Sequence, residues 1–216
     1  MIRLVLYDLD GTLVDTKKDL TQAANHMLSE AGLPPRSADE IGRYVGRGLR
    51  HLVQGCFRTE DPVRVEKGVA VFLEYYAHHL MDHSTLYPGA AEILDYFSRR
   101  TQAVLTNKPD PHAKNLLDGL EVGNYFAEIV AGNSGYPKKP DPASLQALMA
   151  KYGVPASETL LIGDSAVDIE TGRRAGVLTA VVAHGFSSEA DLIAAQPDLL
   201  VPDLKVLLET AHKREW

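Results

Sequence analysis

The sequence has a single cysteine, no run of basic residues and no long apolar stretch. Cys56 is the only cysteine in 216 residues, which excludes an internal disulfide and is typical of a protein from a reducing compartment. No apolar segment approaches the roughly 20 residues that a membrane-spanning helix needs, and the N-terminus lacks the pattern of a signal peptide. A formal net charge of -7 with no basic cluster disfavours nucleic acid as a partner. These absences predict a cytoplasmic globular protein that binds neither membranes nor nucleic acid.

Short apolar runs alternate with helical patterns through most of the chain. The apolar runs are 2–6, 103–106, 128–131, 159–163 and 178–183. This alternation predicts a parallel sheet with helices on both faces, which is a three-layer α/β fold.

Residues 16–86 interrupt the alternation, because they carry helical patterns and no convincing strand. Apolar residues recur at steps of three and four from Leu20 to Ala31. Further along, Asp61–Pro62 offers an N-cap followed by a first-turn proline. We therefore expect a helical cap over 16–86, inserted into an α/β core that is formed by 1–15 and 87–216.

The most informative segment is 7–16, YDLDGTLVDT, which follows the first apolar run. Asp8 and Asp10 stand two residues apart where the predicted strand ends, and Gly11 follows them. Two carboxylates this close repel each other, so either the pKa of one is shifted or a metal ion joins them. A simple turn could also produce this pattern. The residues that follow the other predicted strands distinguish a turn from a functional site.

Polar side chains follow three further predicted strands. They are Thr106–Lys108, then Lys138–Pro140 in a loop, then Gly163–Ser165 with Asp168 a turn later. Ligands of open α/β sheets bind beyond the carboxyl ends of the strands, so we expect these side chains to meet. Mg²⁺ prefers oxygen ligands, and Asp8, the carbonyl of Asp10 and Asp164 form a candidate set, with Asp168 in support.

Phosphoryl transfer is the chemistry that these residue types suit. Asp8 is the candidate nucleophile, and its attack on phosphorus would give an aspartyl-phosphate. Asp10 would protonate the leaving alkoxide and then accept a proton from the water that hydrolyses the intermediate.

The remaining polar residues suit the binding of the phosphoryl group. Lys139 is the candidate for neutralising charge on Asp8 and the phosphoryl oxygens, and we favour it over Lys138 because it directly precedes Pro140. The hydroxyl of Thr106 and the backbone near Asn107 would donate hydrogen bonds to the phosphoryl oxygens.

The motifs Asp8–Thr12, Thr106, Lys139–Pro140 and Gly163–Asp164 together resemble those of the haloacid dehalogenase superfamily, over nearly the whole chain. The resemblance implies a Mg²⁺-dependent phosphatase with a helical cap over a Rossmann-like core. Haloacid dehalogenases themselves and the phosphonate-cleaving members lack the second acid of the first motif, so Asp10 argues against both.

Within the superfamily the sequence is similar to phosphoglycolate phosphatases. Residues 45–48, 184–186 and 197–201 carry that similarity. It implies 2-phosphoglycolate as the first candidate among small phosphorylated metabolites. Pyrophosphatases, sugar-phosphate phosphatases and phosphomutases of the same cap type share most of these features and remain alternatives.

An alternative outside the enzymes is a phospho-accepting receiver-type switch, which also uses an acidic cluster, Mg²⁺, threonine and lysine on a parallel sheet. The helical insert after the first strand, and the position of both acids at the end of that strand, disfavour it. The sequence is compatible with a monomer or a homodimer.

The cap must supply the contacts that distinguish one phosphate ester from another. Arg47, between two glycines, is the candidate partner for a substrate carboxylate; the competing interpretation is a solvated helix face. His79 and His83 lie four residues apart but without the His-Glu-x-x-His pattern. We therefore interpret them as helix-end histidines rather than zinc ligands.

Overall fold

The computed structural model describes residues 1–216 and contains two sheets and ten α-helices. The strands are β1 Leu4–Tyr7, β2 Val14–Asp15, β3 Thr85–Leu86, β4 Thr101–Leu105, β5 Glu128–Val130, β6 Thr159–Gly163, β7 Leu178–Val182 and β8 Leu199–Val201. The helices are α1 Lys17–Glu30, α2 Ala38–Gly42, α3 Leu49–Phe57, α4 Pro62–His79, α5 Ala90–Tyr96, α6 His112–Gly119, α7 Ala143–Tyr152, α8 Ala166–Ala175, α9 Glu189–Ala195 and α10 Leu204–Lys213.

The main sheet has six parallel strands in the order β5-β4-β1-β6-β7-β8. Successive side chains of a strand point to opposite faces, so β1 sends Leu4 and Leu6 to one face and Val5 and Tyr7 to the other. Helices α7, α8 and α9 cover the first face, and α5, α6 and α10 cover the second. This architecture confirms the predicted three-layer α/β fold.

Helices α1 to α4 pack against one another between β2 and β3 along the chain. Their apolar side chains, among them Leu28, Val53 and Phe72, are buried. Helix α4 begins as predicted, with the Asp61 carboxylate accepting from the N–H of Val63 and with Pro62 at its first position. None of the helices is long and apolar enough to cross a membrane.

Residues 16–86 are not entirely helical, which corrects the sequence-based expectation. Strand β3 lies within this range and pairs antiparallel with β2. A strand of two residues has no pattern of its own, because it exists only through its pairing with a distant segment. The predicted boundaries at 15/16 and 86/87 fall at this small sheet and remain a prediction.

Candidate active site

The first polar motif leaves the sheet at the end of β1. Asp8 is buried, and its N–H donates to the carbonyl of Ile162 in the neighbouring strand β6 at 2.9 Å. Gly11 then adopts a φ of +83°, and a Cβ at this position would lie 2.4 Å from Oδ2 of Asp164. A glycine is therefore required for the turn to pass beside the end of β6.

Three buried carboxylates meet beyond the ends of β1 and β6. Oxygens of Asp8, Asp164 and Asp168 all lie within 4.8 Å of one another. Nζ of Lys139 lies 3.0 Å from Oδ1 of Asp8 and 2.6 Å from Oδ1 of Asp168. Lys138, in contrast, is exposed. The structure thus brings together the four residues that the sequence placed on three different segments.

Burial sets the protonation equilibria of this cluster. Burial raises the pKa of Asp8 to about 6, although Lys139 opposes the shift. Burial, together with the charges of Asp168 and Asp8, also raises the pKa of Asp164 well above its ordinary value. For Lys139, burial favours the neutral amine, but Asp168 and Asp8 prevail and raise its pKa. The lysine therefore stays charged, but its single positive charge does not offset the cost of burying the ionised carboxylates.

The donor set suits a hard divalent cation. When all three are ionised, the carboxylates exceed the single ammonium group by two negative charges in a buried cluster. Burial is the main cause of the raised pKa values of Asp8 and Asp164, and a bound cation would favour their ionised forms. All of the donors are oxygens, which Mg²⁺ prefers over the nitrogen and sulfur ligands typical of zinc.

Local contacts fix two of the acids. Oδ2 of Asp164 accepts from the N–H of Phe186 at 2.8 Å, and its Oδ1 accepts from the hydroxyl of Thr12 at 3.2 Å. Asp168 lies in the first turn of α8, where Ser165 is the N-cap and donates to Oδ2 of Asp168 at 2.5 Å. Both oxygens of Asp168 are therefore engaged, one by Ser165 and the other by Lys139.

Thr106 and Asn107 follow β4 and are both buried. The amide group of Asn107 donates to the carbonyl of Gly46 at 2.8 Å and to that of Lys139 at 2.9 Å, and its oxygen accepts from the N–H of Lys139 at 2.9 Å. The Asn107 side chain therefore links Gly46, between α2 and α3, to the loop that carries Lys139. Since these bonds engage the Asn107 side chain, its predicted contact with a phosphoryl group is a prediction for its backbone only.

Lys108 is a functional candidate to which sequence reasoning assigned no role. Its Nζ donates to Oδ1 and Oδ2 of Asp10 at 2.9 and 3.2 Å and to the Tyr76 hydroxyl at 2.7 Å. Burial opposes its charge, but Asp10 and Tyr76 raise its pKa. The available signal was its place at a strand end, two residues after Thr106. Tyr76 gave no signal, since it belongs to the apolar stripe of α4.

Two cavities adjoin these residues. The inner pocket lies between the strand ends and α1, α3 and α4; its lining includes Asp8, Asp10, Thr106, Lys108, Leu52 and Phe72. The outer cleft is polar, and its lining includes Asp10, Asp164, Lys17 and Arg43. Arg47 is exposed and lines neither cavity. Its role in substrate binding remains a prediction.

The chain is a Rossmann-like α/β protein, in which a buried acidic cluster and a lysine lie at the carboxyl edge of a parallel sheet. The family model of haloacid dehalogenase-like hydrolases matches residues 5–182. The chain belongs to that family, and it is a hydrolase of phosphoric monoesters.

Two named relatives and one solved structure are similar to the chain over most of its length. The chain is 35% identical to the phosphoglycolate phosphatase of Pseudomonas putida KT2440, over 95% of this chain and 78% of that protein. It is also 35% identical to phosphoglycolate phosphatase 1 of Pseudomonas aeruginosa PAO1, over 98% of this chain and 80% of that protein. Among solved structures, a predicted phosphoglycolate phosphatase from Haemophilus somnus 129pt superposes with a TM-score of 0.91 at 29% identity, covering 97% of this chain and 98% of that one.

Proposed function

We propose that the protein is a Mg²⁺-dependent phosphatase of small phosphorylated metabolites, with 2-phosphoglycolate as the first candidate substrate. The observation that carries the proposal is the 3.0 Å contact between Asp8 and Lys139 inside a buried cluster that also contains Asp164 and Asp168. The relatives named phosphoglycolate phosphatase support the choice of substrate.

The reaction proceeds in two steps. An oxygen of the Asp8 carboxylate attacks phosphorus, the bond to the ester oxygen breaks, and Asp10 gives that oxygen a proton. Asp10, now a carboxylate, takes a proton from a water molecule, which attacks the phosphorus of the aspartyl-phosphate and restores Asp8. Glycolate and inorganic phosphate are the products when the substrate is 2-phosphoglycolate.

Charge stabilisation accounts for the remaining residues. Lys139 neutralises part of the charge that builds up on Asp8 and the phosphoryl oxygens, and Thr106 with the backbone of Asn107 donates to those oxygens. Asp8, the carbonyl of Asp10 and Asp164 would hold Mg²⁺, which offsets the repulsion between a carboxylate and a phosphate dianion when it is bound. Asp168 positions Lys139.

A phosphate-release assay with and without Mg²⁺ tests the proposal. The substrates are 2-phosphoglycolate, pyrophosphate and a hexose phosphate, with product analysis to detect a phosphomutase. We expect sustained turnover that EDTA abolishes, and Asp8→Asn lowers kcat by at least about a thousandfold because it removes the nucleophile. Glu92→Gln, which alters an exposed carboxylate away from both cavities, is the matched control.

Two results would contradict the proposal. An undiminished rate in purified Asp8→Asn protein removes the nucleophile from the mechanism. Incorporation of a single phosphoryl group without further turnover identifies a receiver-type switch instead.

A further inference from the structure

The inner pocket has a single formally charged cation in its wall. Asp8 and Asp10, the proposed nucleophile and the proposed acid, both line this pocket, whereas the outer cleft is lined by Asp10 but not by Asp8, so we place the leaving group of a bound ester in the inner pocket. Lys108 is the only lysine or arginine among the lining residues. Leu49, Leu52 and Phe72 belong to the same wall and offer no hydrogen bond to the hydroxyl groups of a sugar.

Tyr76 retains a hydrogen-bond donor for a ligand, and Lys108 can release one. The three donors of the Lys108 ammonium group meet Oδ1 and Oδ2 of Asp10 and the Tyr76 hydroxyl. The contact with Oδ2, at 3.2 Å, is a second contact with the same carboxylate, so a ligand carboxylate can take that donor while the bond to Oδ1 of Asp10 stays in place. The Tyr76 oxygen accepts from Lys108, while no protein acceptor takes its own hydrogen. Burial raises the pKa of Tyr76 to about 12, so the phenol keeps that hydrogen at neutral pH.

His112 adds a third polar group beside this pair. It lines the inner pocket from α6, and its ring centroid lies 5.6 Å from that of Tyr76. Burial, assisted by the charge of Lys108, lowers the pKa of His112, so the imidazole is neutral and carries one N–H donor. No protein group forms a hydrogen bond with its side chain.

We propose that Lys108, Tyr76 and His112 form a subsite for a carboxylate on the leaving group. The substrate class is then the phosphate esters of short hydroxy acids, of which phosphoglycolate is the smallest. The inference rests on the proposed function, because it assumes that the leaving group occupies the pocket beside Asp8 and Asp10. It assigns to Lys108 the role that the sequence alone suggested for Arg47, which lies outside this pocket.

The test compares two esters that differ only at the far end, which is a carboxylate in 2-phosphoglycolate and a neutral hydroxymethyl group in 2-hydroxyethyl phosphate. The readout is kcat/KM for 2-phosphoglycolate divided by kcat/KM for the neutral ester. General losses of folding or of catalysis affect both values equally and cancel in this ratio. We expect Lys108→Met to lower the ratio by about 10- to 100-fold, since a hydrogen bond between charged groups is lost. Tyr76→Phe, which removes one oxygen, should lower it by about three- to tenfold.

Two further variants make the result specific. Lys138→Met removes an exposed lysine from the neighbouring loop and is the matched control. Arg47→Ala tests the rival position. A fall in the ratio for Arg47→Ala, with none for Lys108→Met or Tyr76→Phe, overturns the subsite in favour of Arg47. If Lys108→Met fails to fold, the ratio measured for Tyr76→Phe decides.

Failure of the inference can be distinguished from failure of the proposed function. A wild-type protein that hydrolyses phosphoglycolate no better than the neutral ester overturns both the substrate and the subsite, while the phosphatase chemistry stands if Asp8→Asn is inactive. A wild-type preference for phosphoglycolate that persists unchanged in Lys108→Met and Tyr76→Phe overturns the subsite alone.

Discussion

Buried charge dominates the site at the scale of single residues. The pKa of Asp8 rises from 3.8 to about 6, mainly through burial. The folded state therefore binds this proton more tightly than the unfolded state, and ionisation of Asp8 costs stability as the pH rises through about 6. Below pH 3.8 the group is protonated in both states and the cost vanishes.

Because the ionisation of Asp8 costs stability, we predict that Asp8→Asn stabilises the metal-free protein at pH 7.5. The gain is at most about 3 kcal/mol, because one pKa unit corresponds to about 1.36 kcal/mol, and it shrinks towards zero near pH 4. Urea unfolding of the wild type and the variant at the two pH values measures it, with Glu92→Gln as the exposed control. A variant that is less stable than the wild type at pH 7.5 would show that the bond to Lys139 outweighs the burial cost.

The same shift predicts that protons compete with Mg²⁺. The cation must displace the proton from Asp8, so below about pH 6 its apparent affinity falls by at least about tenfold per pH unit, and competition at Asp164 adds to the fall. Titration calorimetry with MgCl₂ at pH 5 and pH 7.5 measures the effect. Affinities that are equal at the two pH values would exclude Asp8 as a ligand.

Gly11 is the residue whose lack of a side chain the site requires. Gly11→Ala combines a φ of +83° with a Cβ placed 2.4 Å from Oδ2 of Asp164, so we expect it to destabilise the fold and weaken Mg²⁺ binding at least tenfold. Gly32→Ala is the matched control, because Gly32 has a φ of +67° and no atom within 4 Å of the added Cβ. That variant should lose about 1 kcal/mol and keep its Mg²⁺ affinity.

At the scale of elements, one carboxylate of α1 holds the segment that returns from α4 towards the sheet. Oδ2 of buried Asp19 accepts from the N–H of His83, the N–H of Ser84 and the hydroxyl of Ser84, at 3.0, 2.8 and 2.7 Å. Removing the carboxylate leaves these donors without a partner in the interior.

We therefore predict that Asp19→Ala costs about 2 to 4 kcal/mol of unfolding free energy. Asp61→Ala, which removes the exposed N-cap of α4, should cost about 1 kcal/mol. Denaturant unfolding of the two variants gives the comparison. Equal costs for the two variants would mean that the bonds from Asp19 to His83 and Ser84 add no stability beyond that of an ordinary helix cap.

The larger elements were predictable because each has its own periodicity. The five apolar runs became strands β1, β4, β5, β6 and β7, and the stripe that begins at Leu20 became α1. Strand β8, with three residues, and the pair β2–β3 were not predicted as strands. Short strands of this kind depend on their partners rather than on local propensity.

At the scale of the whole molecule, Asn107 connects Gly46, between α2 and α3, to the loop that carries Lys139. We predict that Asn107→Ala lowers kcat/KM at least tenfold, because it frees Gly46 and removes both bonds that hold the backbone of Lys139. Hydrogen exchange around residue 46 should accelerate in the same variant. Exposed Asn115→Ala is the control, and unchanged exchange around residue 46 would refute the link.

The acidic cluster could be anticipated, whereas the contents of the inner pocket could not. Asp8, Asp164 and Lys139 follow separate strands, and the carboxyl ends of parallel strands share one edge, so their meeting followed from the order of motifs. Lys108 and Tyr76 meet only because α4 packs over the end of β4. Their sequence separation is 32 residues, and no local pattern relates them.

The sequence by itself determined the three-layer fold, the family and the residues gathered at the strand ends, because periodicity and strand-end motifs are local properties that survive without coordinates. Only the tertiary structure decided that Lys139 rather than Lys138 is buried, that Asn107 holds Gly46, and that Lys108 rather than Arg47 faces the inner pocket. Those outcomes depend on how the helices pack across the carboxyl edge of the sheet. Burial at that edge determines which side chains stay charged and which hydrogen-bond donors face a ligand.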